Sequence, residues 1–162
     1  MIGAPASAVG TGRIALLLAG ACAGLAATWA APAVAALGGD ASSAQADQLS
    51  MKASARSTAT GRFTVHELQA PSGTTVREFA SPAGKVFAVT WQGPWVPDLR
   101  QILGDYFEPY VQAAQAKRAG RGPLEIRSGG LVAQSGGRMR AFAGRAYVPE
   151  LMPADVSADD LY

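Results

Sequence analysis

VFAVTWQGPWVPDLRQILGDYFEPYVQAAQAKRAG, Val86 to Gly120, is the stretch from which the rest of the chain can be read. It opens with Phe87, Val89 and Trp91 alternating onto one side, the period of a strand with a buried face. A corner marked by Pro94 and Pro97 follows. Leu99, Ile102, Leu103, Tyr106, Phe107, Tyr110, Val111 and Ala114 then recur at helical spacing, which puts all eight on one face of an amphipathic helix. Pro97 suits the first helical position and Asp98 the positive end of the helix dipole, while Lys117 and Arg118 suit the other end and Gly120 the position just past it. Pro109 removes a backbone hydrogen bond and its ring meets the carbonyl of Asp105. That predicts a kink between Gly104 and Pro109 or two abutting helices, and the unbroken phase of the apolar stripe favours one bent element.

Strands flank this centre. Residues 62–69 and 74–80 read as two strands before the one at 85–92, joined by turns at Pro71-Ser72-Gly73 and Ser81-Pro82-Ala83-Gly84. Phe63 and Val65 share one side of the first, and His66 takes the other. After the helix, residues 124–127, 131–135 and 138–148 read as further strands, with turns at Gly129-Gly130 and Gly136-Gly137. The expected fold is α+β: an antiparallel sheet built from a β-meander, a long kinked helix packed on one face, then two or three further strands.

The ends of the chain differ from this middle. Arg13, an apolar run at 14–27, Pro32 and the small-residue pattern Ala33-Val34-Ala35 have the layout of a secretory signal peptide over residues 1–36. An uncleaved anchor helix is the alternative, disfavoured by the short apolar core. The lone cysteine, Cys22, lies inside that leader, and Ala19 stands where a lipoprotein signal needs a larger aliphatic residue. Residues 37–61 form a polar segment whose Ala46, Leu49 and Ala53 suit a short helix over 43–53, followed by a loop at 54–61. Residues 62–148 make the single α+β domain, and 149–162 an acidic, loosely held tail. With the leader removed, no transmembrane span is expected and the location is periplasmic or secreted.

Of 14 basic and 12 acidic residues, only Arg13 precedes Ala36, so the processed chain is almost neutral. Between Lys117 and Arg145, however, seven basic residues face one acid, Glu125. Arg138 and Arg140, two apart, are expected on one strand face with Arg127 on a neighbouring strand, a surface for anionic envelope material or another exported protein. Export makes nucleic acid an unsuitable partner. Trp91 and Trp95 bracket a strand-to-helix corner that could line a groove or face a protein partner, although Trp91 continues a core face.

Catalysis has little to build on. His66 is the single histidine of the chain, and a general base needs a nucleophile and an orienting group in reach. With one histidine and no cysteine after the leader, no metal site and no cofactor are expected. Nucleophile-elbow, phosphate-loop and dinucleotide motifs are absent from the sequence. Ser81-Pro82-Ala83-Gly84-Lys85-Val86-Phe87, Pro97-Asp98-Leu99-Arg100-Gln101 and the run Gln134 to Phe142 (QSGGRMRAF) resemble a family of short exported proteobacterial proteins known only as a domain of unknown function. The resemblance implies export and one domain, and brings no activity. The expected role is an accessory or binding module of the cell envelope, with a small hydrolase using His66, or a subunit of an envelope complex, as alternatives.

Overall fold

The computed structural model describes residues 36–41, 48–49, 51–117 and 122–161. Seven strands form one antiparallel sheet: β1 (Ser54–Ala59), β2 (Thr64–Gln69), β3 (Thr75–Ala80), β4 (Val86–Gly93), β5 (Leu124–Ser128), β6 (Leu131–Arg138) and β7 (Ala141–Tyr147). Their order across the sheet is β1-β2-β3-β4-β7-β6-β5. The last strand in sequence therefore joins two hairpin-built halves by pairing with β4 on one side and β6 on the other. The leader and most of the expected 43–53 helix lie outside the described residues. Within that helix Leu49 is exposed and Ala53 buried, so the two do not share one buried stripe.

The helix breaks into α1 (Leu99–Leu103), a 3-10 turn (Gly104–Tyr106) and α2 (Phe107–Ala116). Asp98, rather than Pro97, marks the start: its side chain accepts hydrogen bonds from the amides of Arg100 at 2.9 Å and Gln101 at 3.3 Å. Gly104, at φ 51°, ends α1. Pro109 then falls in the first turn of α2, where its missing amide would have no helical partner. All eight residues of the apolar stripe pack into one core cluster with Leu68, Val76, Val89, Trp91, Ile126 and Ala133 of the sheet.

The opposite face of the sheet has a smaller core of its own. Phe63, Phe79 and Phe87 meet with ring centroids 5.7–6.3 Å apart, and Val156 and Leu161 close over them. Three expectations fail here, each for a physical reason. Phe87 does not share a face with Val89 and Trp91, because the β3–β4 register shifts at Phe79/Ala80 and the extra residue turns Phe87 to the other side. Residues 54–59 form the edge strand β1 instead of a loop: its Ser, Ala, Thr and Arg side chains are exposed, so backbone pairing with β2 rather than burial holds it. The acidic tail is not loose. Arg62 donates to the carbonyl of Asp155 at 2.8 Å and pairs with Asp160 at 3.4 Å, while Val156 and Leu161 are buried. Asp160 stays below its ordinary carboxylate pKa, chiefly through the Ser157 amide and then Arg62.

Candidate functional site

The three arginines singled out by sequence do not form one face. Arg127 lies on β5 opposite Val132, near the start of β6, and is paired with Glu125 at 3.1 Å. Arg138 ends β6, about 20 Å from Val132 at the rise of a strand. Gly136 and Gly137 run inside β6 rather than turning it; the reversal comes at Met139-Arg140, because Arg138 pairs with Ala141. Arg140 therefore sits in a turn at φ 64°, not on a strand face.

That reversal builds a different surface. Met139 is 90% exposed, with the exposed Arg138 and Arg140 on either side. At the same end of the sheet, β4 finishes at Gly93 opposite Phe142, and the chain continues into Trp95 and Val96, 59% and 48% exposed. Thr74 fixes this corner by donating to the carbonyl of Trp95 at 2.8 Å. Val96, Leu99 and Tyr110 from the helical side and Phe142 from the hairpin line one groove, of about 280 Å³. Three of the four large apolar side chains exposed among the described residues thus gather at one sheet end, with two arginines. Arg138, Arg140 and Trp95 are brought to it. Trp91 is buried beneath it, and Arg127 is left at the far end of its hairpin.

His66 has gained a neighbour the sequence did not reveal. Ser57 of β1 lies directly across from it, with Oγ 2.5 Å from Nδ1, and Glu78 of β3, fully buried, stands opposite on the other side. Burial lowers the His66 pKa below its ordinary value by disfavouring the charged ring. His66 lines none of the four clearest grooves among the described residues. Among those residues no group of three or more His, Cys, Asp or Glu is placed to hold a metal ion, and no helix is long and apolar enough to cross a membrane.

The other face of the sheet carries a polar row in register across all seven strands: Arg56, Glu67, Arg77, Thr90, Arg145, Gln134 and Glu125. Arg77 binds Glu67 at 2.6 Å, and Arg145 donates to Gln134 Oε1 and to the carbonyl of Ala158, both at 2.8 Å. Arg127, then Gln134, hold Glu125 below its ordinary pKa. Only strand register reveals this row.

The family described as "Protein of unknown function (DUF2844)" matches residues 33–161. The chain belongs to that family. No curated protein and no solved structure matches it. The DUF2844 match covers the whole sheet, both layers that cover it and the exposed sheet end, so all the surfaces above are part of the family's span.

Proposed function

We propose that this DUF2844 chain is an exported, non-catalytic binding module of the bacterial cell envelope, docking on an anionic lipid surface by the sheet end that carries Arg138, Met139, Arg140, Trp95 and Val96. One observation carries the reading: an exposed methionine between two arginines shares one sheet end with an exposed tryptophan. Tryptophan favours the headgroup level of a bilayer, apolar tips gain from shallow insertion, and arginine next to an anionic surface contributes about 1 kcal/mol. The leader-like residues 1–36 support export, and the family match begins at residue 33, beside the expected cleavage point.

The test is co-sedimentation of protein purified from cells expressing the full chain, on vesicles of phosphatidylglycerol mixed with phosphatidylethanolamine. Binding that weakens with salt, with a blue shift of tryptophan emission, is the expected result. Arg138→Ser with Arg140→Asn, the asparagine chosen to tolerate a left-handed backbone, removes the binding without changing thermal stability. Equal sedimentation with purely zwitterionic vesicles, or binding undiminished in the double variant, overturns it. A second reading, a small envelope hydrolase, has the Ser57–His66 contact in its favour.

A further inference from the structure

We infer that the trough on the tail side of the sheet is a binding site for a small organic carboxylate with an apolar body. This site is separate from the sheet-end surface. The trough holds about 400 Å³, within the range of small-molecule sites. Its floor is bare because Gly136 of β6 and Ala143 of β7 pair directly and share this face, so two adjoining positions carry a methyl group at most. Pro123 and Leu161 add apolar walls.

One end of the trough is polar, and there Arg77 and Thr90 keep donors to offer. Arg77 commits only Nε, to Glu67 Oε2 at 2.6 Å, and among the described residues its two terminal amino groups make no hydrogen bond. The Glu67 contact fixes the plane of the guanidinium. Thr90 stands next to Arg77 in the polar row and is 8% exposed, and its hydroxyl has no hydrogen-bond partner among the described residues. Both groups line the trough, and a carboxylate accepts from both at once. Glu67 already offsets part of the Arg77 charge, which suits a monoanion better than a phosphate dianion. The carboxylate therefore belongs at Arg77 and Thr90, and the apolar body on Ala143, Gly136 and Pro123.

The probe is hexanoate, followed in ¹H–¹⁵N spectra of the protein purified from cells expressing the full chain, with hexan-1-ol as the uncharged control. Expected are saturable shifts at the amides of Thr90, Gln92, Ala143 and Gly144 with hexanoate, and much weaker ones with the alcohol. Gly136→Val should abolish them: the backbone there is ordinary, a Cβ would meet only Pro123 at 3.6 Å, and valine favours strands. Arg77→Gln should weaken binding about tenfold or more, the scale of a lost charge-assisted hydrogen bond. If the valine variant does not fold, Arg77→Gln decides. No saturable shift, equal response to the alcohol, or affinity unchanged in the variants overturns the proposal. Replacing Arg138 and Arg140 leaves hexanoate binding as it is, so failure at the sheet end and failure at the trough are read separately.

Discussion

At the scale of single residues, His66 gives the chain a defined response to acid. Burial holds its folded pKa below the ordinary 6.5, so between those two values the unfolded chain binds more protons than the folded one. Stability is therefore level above pH 6.5 and falls as pH drops through that window. His66→Asn should flatten the slope, measured as the urea midpoint above and below the ordinary value. An unchanged slope would place the titrating group elsewhere. Ser57→Ala separates the two readings of the pair: it leaves hydrolysis of p-nitrophenyl acetate untouched if the contact is structural, and abolishes it if Ser57 is a nucleophile. The sequence placed His66 on the face opposite Phe63 and Val65, which is where it lies. It could not name Ser57, because the run SARSTA has no apolar alternation and its strand exists only through pairing with β2.

At the scale of elements, the helix shows how one residue sets a break that another was expected to cause. Gly104 adopts φ 51°, and a methyl group there would overlap that of Ala36. Gly104→Ala should cost about 2–4 kcal/mol, the left-handed backbone and the overlap acting together. Pro109→Ala should change stability little, because that position of α2 requires no amide hydrogen bond. Chemical denaturation of the two variants compares them directly, and a larger loss at Pro109 would reverse the assignment. The eight-residue stripe was legible because a 3.6-residue period survives the 3-10 turn. The bulge that turns Phe87 was not, since an added residue in β4 leaves no mark in local composition. Likewise the paired glycines at 136–137 look like a turn, yet the reversal falls at Met139-Arg140, where no glycine announces it. The candidate surface was half legible for that reason: Arg138, Arg140 and Trp95 could be named, but their gathering at one end depended on where the hairpin turned.

At the scale of the molecule, the sheet is covered on both faces, by the helical layer on one and by the chain's last described residues on the other. Ending the chain after Pro153 removes Val156 and Leu161 and uncovers the three phenylalanines. Loss of two buried aliphatic side chains should cost roughly 3–6 kcal/mol. It should also raise the fluorescence of an added anilinonaphthalene sulfonate dye, whereas an unchanged melting temperature and no dye signal would mean the tail is dispensable. Four acids between 150 and 160 made this segment read as solvated, while the anchors that matter are one valine and one leucine. The position of β7 has a consequence in time. Synthesis delivers β1 to β4 and then β5 to β6 as two sets of hairpins, but the strand that welds them arrives only with residues 141–147. Until then β4 keeps an open edge, and contacts bridging more than 50 residues wait to be made, as between Val89 and Ala146. A nascent chain of this design keeps its two halves apart, each a loose set of hairpins, until residue 147 is available.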